Sequence, residues 1–136
     1  MRIVLDTNVL VSGLLNPHGP PGRILDLVLA GDPVLVVDDR ILAEYRDVLA
    51  RPRFGFRRAD REALLEYLKQ TSEAVLASPV ASKLPDPGDV PFLETALEGQ
   101  VDSLVTGNLR HFPKRARGPL RVESPSQFLE RFVAKK

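Results

Sequence analysis

Three short runs restrict what this chain can become: "RIVL" at 2–5, "PVLVV" at 33–37 and "SLVT" at 103–106. Each is apolar at consecutive rather than alternate positions, so any strand it forms must be covered on both faces. The stretches between them have helical spacing. Residues 8–15 are apolar and stop at the breakers of "NPHGPPG", and positions 24, 25, 28 and 29 form a stripe closed by Gly31. Ile41, Leu42, Tyr45, Val48 and Leu49 share one face of a helix that Asp38 or Asp39 can cap. A long amphipathic helix is predicted over 60–77 and another over 90–99, with Pro91 early and Gly99 at its end. "LRVE" reads as a fourth strand, and Ser124 caps a last helix running to about Val133. Strands alternating with helices predict an α/β fold around a parallel sheet, and 136 residues suffice for one such domain, 1–136.

Composition works mainly by exclusion. Net charge is +1, so bulk charge gives no nucleic-acid signal and any basic surface must be local. The absence of cysteine removes disulfides and thiolate metal sites, leaving oxygen and histidine as ligands. No apolar run approaches the roughly 18 residues of a membrane span. Asp6 interrupts the N-terminal apolar stretch where a signal peptide needs continuity. A cytoplasmic protein with no membrane partner is expected.

Asp6 is also the chemical oddity of the chain. It ends an apolar strand and is followed by Thr7 and Asn8, where an unpaired buried carboxylate would be costly. In a parallel sheet, ligands collect beyond the carboxyl ends of the strands. Asp6 and Asn8, Asp38 and Asp39, and Thr106 and Asn108 all follow strands and fall at that edge, whereas Asp102 precedes one and falls at the other. Glu44 borders the apolar stripe of its helix and points toward the same edge, although a surface ion pair would also explain it. Asp86 and Asp89 flank a Pro-Gly turn, where turn formation and helix capping are their ordinary roles. If Asp6, Glu44 and Asp89 converge, no Lys or Arg is placed to neutralise them, and the usual remedy is a hard divalent cation, Mg²⁺ or Mn²⁺. Such a site activates water and stabilises charge on a phosphate oxygen.

Four ordered segments, "IVLDTNVLVSGLL", "LAEYRDVLARPRF", "DPGDVPFLETAL" and "LVTGNLRHFP", resemble those of PIN-domain nucleases. The likeness is greatest to the bacterial and archaeal branch that supplies toxins of toxin–antitoxin pairs. It implies a three-layer α/β/α sandwich with a central, mostly parallel sheet, a Mg²⁺- or Mn²⁺-dependent ribonuclease site, homodimerisation and a cognate antitoxin. The family's first three acids fall on Asp6, Glu44 and Asp89, which are implied as catalytic and as metal ligands. Its fourth acidic position falls on Asn108, which keeps an oxygen but loses a charge. Thr7, Asn8, Asp86 and Thr106 are implied as residues that orient the ligands or water.

Two Arg-rich loops, "RPRFGFRR" and "RHFPKRARGPLR", are expected to hold an RNA backbone through Arg53, Arg110, His111, Lys114 and Arg115. Phe54, Phe56, Phe112 or His111 would stack on unpaired bases. An apolar patch on 22–30 and 60–77 is expected to exceed what one domain buries and to serve a dimer or antitoxin interface. Two alternatives remain: a catalytically weak PIN-like module that binds RNA or protein, and a small phosphotransfer or nucleotide-binding α/β protein. The second lacks any P-loop pattern.

Overall fold

The computed structural model describes residues 1–81 and 83–134. The chain runs β1 (Arg2–Leu5), α1 (Thr7–Leu15), α2 (Pro20–Leu29), β2 (Val34–Val37), α3 (Asp39–Leu49), α4 (Arg58–Thr71) and β3 (Glu73–Ala74). It continues through α5 (Val90–Gly99), β4 (Ser103–Val105), α6 (Lys114–Arg117), β5 (Val122–Glu123) and α7 (Pro125–Ala134). The strands form one five-stranded sheet in the order β3-β2-β1-β4-β5, and every pairing is parallel. Helices flank it as expected for an α/β sandwich. Ile3 to Leu5, Leu35 to Val37, and Leu104 with Val105 are all buried, which is why these runs show no alternation. Among the described residues, no helix is long and apolar enough to cross a membrane.

The strand order places the functional edge. From β1 the chain moves outward to β2 and β3, then returns to the other side of β1 as β4 and β5. Loops diverge at such a reversal and leave a crevice between the two central strands. Asp6 leaves β1 there and Thr106 leaves β4 there, so the first two polar residues beyond the sheet face one crevice. Asp102 sits at the opposite end, accepting from the Arg2 amide at 2.8 Å.

α2 lies close against α1 and against the turn that precedes it because Gly13 and Gly22 stand at those contacts. A Cβ on Gly22 would lie 2.3 Å from the Pro17 carbonyl oxygen, and one on Gly13 would lie 2.9 Å from that of Pro21. α3 is held by its N-cap, where Asp38 accepts from the Ile41 amide at 3.0 Å. Its fully buried Tyr45 donates its hydroxyl to the Leu5 carbonyl, the last of β1. That bond fixes the turn carrying Glu44 beside Asp6. The Ser124 cap takes the form of a capping box: its hydroxyl accepts from the Gln127 amide at 3.2 Å, and Gln127 Oε1 accepts from the Ser124 amide at 2.9 Å.

Several boundaries differ from the sequence reading. The helix expected over 60–77 ends at Thr71, and Glu73–Ala74 pair with β2 as a fifth strand. Both strand residues are exposed, so their pairing rests on backbone bonds and leaves no apolar pattern to detect. Gly99 is the last helical residue of α5, and Gln100 rather than Gly99 takes the left-handed conformation that ends it. The apolar patch expected on 22–30 and 60–77 is largely consumed within the domain. Ile24, Leu25, Val28, Leu65 and Leu68 are buried, leaving Leu29, Tyr67 and Leu76 as its exposed large residues.

Tyr45→Phe removes the bond between α3 and the end of β1 and leaves a buried carbonyl short of a donor. It should lower stability by about 1–2 kcal/mol in urea unfolding. An unchanged midpoint would mean that apolar packing alone positions α3.

Candidate metal centre

Asp6 occupies the N-cap position of α1, yet its side chain makes no capping bond. Its carboxylate turns instead into the crevice, 5% exposed. Thr106 Oγ1 donates to Asp6 Oδ2 at 2.7 Å, and the Asn108 amide donates to Thr106 Oγ1 at 3.0 Å. Asn8 closes the other side: its Nδ2 reaches Asp6 Oδ2 at 3.4 Å while its Oδ1 accepts from the Gly107 amide at 3.1 Å. Thr7, one residue on, donates its hydroxyl to Glu44. The polar run after β1 thus binds β4 to β1 through Asp6 and Asn8, and α3 to β1 through Thr7.

Asp89 arrives from the far side on the short helical turn Pro87–Asp89. Asp86 fulfils its expected turn role by accepting from the Gly88 amide at 2.9 Å. Asp89 is spared from capping and is buried, 9% exposed. Its Oδ2 has no backbone or hydroxyl donor, and the polar atom against it is His111 Nδ1 at 2.8 Å. Asp86, Asp89 and His111 each offer a ligand atom within 4.8 Å of the others.

The electrostatics separate these acids from the rest. Burial, strengthened by the charges of Asp89 and Glu44 and opposed by the Thr106 hydrogen bond, pushes the Asp6 carboxyl up to about 6. Burial also raises Asp89, against the pull of His111, with the charges of Asp86 and Glu44 adding to the rise. The buried Tyr45 hydroxyl moves upward too, first by desolvation and then by Asp6 and Glu44. Elsewhere the chain pairs its buried acids with arginine. Arg40 bridges Asp38 and Glu94, each at 2.7 Å, and Arg131 holds Glu123 at 2.8 Å. Among the described residues, no Lys or Arg forms an ion pair with Asp6, Glu44 or Asp89. Oxygen donors that repel one another, with no Lys or Arg paired to them, fit a hard divalent cation.

Asp6, Glu44, Asp86 and Asp89 line one cleft of about 510 Å³, together with Thr7, Asn8, Arg51, Arg53 and Phe54. Asn108 is exposed and does not line it, and Arg110, Lys114 and Arg115 are exposed beyond it. Phe112 is 1% exposed and packs in the core, so it offers no ring for stacking. An apolar residue inside an Arg-rich loop anchors that loop instead. His111, expected as an RNA contact, has its ring turned to Asp89. The Tyr45 hydroxyl was not anticipated. Arg51 opens the Arg-rich loop "RPRFGFRR" and reaches the cleft beside Arg53, whereas Tyr45 reads in sequence as part of an apolar stripe.

A family model described as PIN domain matches residues 2–110. An uncharacterized protein of Methanocaldococcus jannaschii is 28% identical over 142 residues, covering 97% of this chain and 92% of that protein. The crystal structure of VapBC2 from Rickettsia felis, bound to a DNA fragment from their promoter, contains a similar chain. It aligns with a TM-score of 0.57 at 17% identity, over 91% of this chain and 98% of that one, a likeness of fold.

Folded Asp6 holds its proton more tightly than the unfolded chain does, so metal-free stability falls as pH rises from about 4 to about 6 and is flat above. The charge then costs up to about 3 kcal/mol at neutral pH. Asp6→Asn keeps an acceptor for Thr106 and removes the charge. It should raise the urea midpoint near pH 7 by about 1–3 kcal/mol in stability, with the gain fading near pH 4. A gain of equal size at both pH values would show that charge is not the cause.

Proposed function

This chain belongs to the PIN-domain family, and from that premise we propose that it is a divalent-metal-dependent endoribonuclease, the toxin of a toxin–antitoxin pair. The observation that carries the proposal is the contrast among buried acids. Asp38, Glu94 and Glu123 have arginine partners, while Asp6 and Asp89 converge on one cleft without one.

In this reading Asp6, Glu44 and Asp89 hold Mg²⁺ or Mn²⁺. The bound ion supplies Lewis acidity toward a phosphodiester oxygen and lowers the pKa of water. The chain's own residues do the positioning. Thr106 and Asn8 fix the Asp6 carboxylate, Thr7 fixes Glu44, and Asp86 braces the turn that presents Asp89. Arg51 and Arg53 stand in the same cleft as the acids and can take the phosphate next to the scissile one. Half-buried Phe54, stacked on Phe56 with ring centroids 5.8 Å apart, carries the Arg53 guanidinium 4.8 Å from its ring centroid and so steadies that arginine in the cleft. Arg110, Lys114 and Arg115, exposed after β4, carry the backbone farther out.

The toxin assignment draws on the fold shared with a chain of the VapBC2 complex. A cognate antitoxin and a second copy of the chain are the proposed protein partners. Leu29, Tyr67 and Val133 are the exposed apolar residues available to them on α2, α4 and α7. Asn108 favours a second reading, a catalytically weak module that binds RNA or protein, because the amide removes a charge from the family's acidic set.

Purified protein should cleave single-stranded RNA in Mg²⁺ or Mn²⁺ and stop in EDTA. Asp6→Asn, Glu44→Gln and Asp89→Asn should each lower the rate by at least about 100-fold. RNA bound without cleavage would favour the second reading, and cleavage undiminished by EDTA would remove the metal from the account. Lys114→Ala and Arg115→Ala should weaken RNA binding regardless of sequence. Each should reduce the slope of log K against log salt by about 0.7, the value for one phosphate contact on a single strand. Unchanged slopes would place the RNA elsewhere.

A further inference from the structure

We propose that the aliphatic middle of the cleft is a nucleobase subsite, so that the strand to be cut must present an unpaired base beside the scissile phosphate. The inference rests on the nuclease reading and narrows its substrate to RNA whose bases are free of a duplex.

The order of side chains along the cleft carries it. On α1, Asn8, Val11, Ser12 and Leu15 stand at helical spacing on one face, and all line the cleft. On α3, Glu44 and Val48 do the same, and Arg51 follows just past the helix end. Both stripes begin beside the acids and turn aliphatic, and the second finishes at Arg51 with Arg53 beyond it. Glu44 and the end of α3 at Leu49 are separated by about 8 Å of helix. Acids that take a cation, an aliphatic stretch and then arginines match a phosphate, a base and the next phosphate of one strand.

Leu15 lines the cleft yet is 55% exposed, and the Ser12 hydroxyl has no hydrogen-bond partner among the described residues. A base laid on Leu15 and Val48 would cover the first and offer an edge to the second. The Phe54 ring is engaged by Phe56 and the Arg53 guanidinium, so the base rests on aliphatic carbon and its identity is read weakly. A protein partner is a poorer match. The strip is a few side chains long, closed by opposite charges at its two ends, inside a cleft of about 510 Å³, the size of a small-molecule pocket. A base within a duplex is stacked and paired, and cannot enter without being flipped out.

Affinity is measured by fluorescence anisotropy in EDTA, where no strand is cut, for a labelled oligouridine and an abasic ribose-phosphate strand of equal length. The oligouridine should bind at least about 5-fold more tightly. Leu15→Ala, at an exposed position, should lower oligouridine affinity by about 3- to 5-fold and leave the abasic strand unaffected. Leu15→Phe, which offers a wider face, should tighten it. Neither substitution alters a charge, so the slope of log K against log salt should stay as in wild type. Equal affinity for the two strands, or an equal loss on both from Leu15→Ala, would mean that the strip touches no base and the proposal is wrong. Leu15→Ala that spares RNA binding but abolishes self-association would assign the strip to a second copy of the chain and would also overturn it. Cleavage in Mn²⁺ is scored separately, and annealing the oligouridine to oligoadenosine should protect it. Equal cleavage of free and annealed strands would remove this inference and keep the nuclease; base-dependent binding of RNA that stays intact would keep the subsite and remove the nuclease.

Discussion

The hydrogen bond from Thr106 to Asp6 joins the ends of β1 and β4, where the chain reverses its course through the sheet. Everything around the cleft is arranged about that bond. The Asn108 amide fixes Thr106, Asn8 reaches from Asp6 to Gly107, Thr7 holds Glu44, and Tyr45 fastens α3 to Leu5. These contacts hold a carboxylate in a place where burial opposes its charge. The hydrogen bonds to Asp6 offset only part of that opposition, so its carboxyl is still pushed up to about 6.

The same chain shows how it treats buried acids that serve structure alone. Arg40 neutralises Asp38 and Glu94 together, and through Glu94, which accepts from the Val80 amide at 2.9 Å, it also ties down the segment before Asp86. Arg131 does the same for Glu123 beneath α7. Arginine is therefore available and is used where the acid has only to be tolerated. At the crevice it is withheld, and Arg51 and Arg53 line the cleft without pairing to Asp6, Glu44 or Asp89. A site built in this way has lower charge tolerance when empty and higher affinity for a cation and for a phosphate that follows it.

Much of this was readable in the sequence because its causes are local. Non-alternating apolar runs can only be covered strands, and Asp6 stands out because it breaks one. The carboxyl-edge rule then grouped Asp6, Asn8, Thr106 and Asn108 correctly at one end and put Asp102 at the other. What escaped depends on contacts between distant segments. β3 consists of two exposed residues whose pairing is wholly backbone, and "TSEAV" carries no Gly or Pro to stop a helix. The encounter of His111 with Asp89 joins two turns that only folding brings together. Phe112 looked like a stacking ring because its neighbours are basic, yet it is the plug that anchors their loop.

The central claim is that the converging acids are incomplete without a cation. It is tested most directly by melting the protein across a Mn²⁺ series at constant ionic strength near neutral pH. Wild type should gain stability with the logarithm of Mn²⁺ above the dissociation constant, reaching about 2.7 kcal/mol at 100-fold excess over it. Asp6→Asn and Asp89→Asn should lose most of that gain, whereas Asp38→Asn, whose acid is already paired with Arg40, should keep it. A wild-type melting temperature indifferent to Mn²⁺, or an equal rise in all four proteins, would contradict the account.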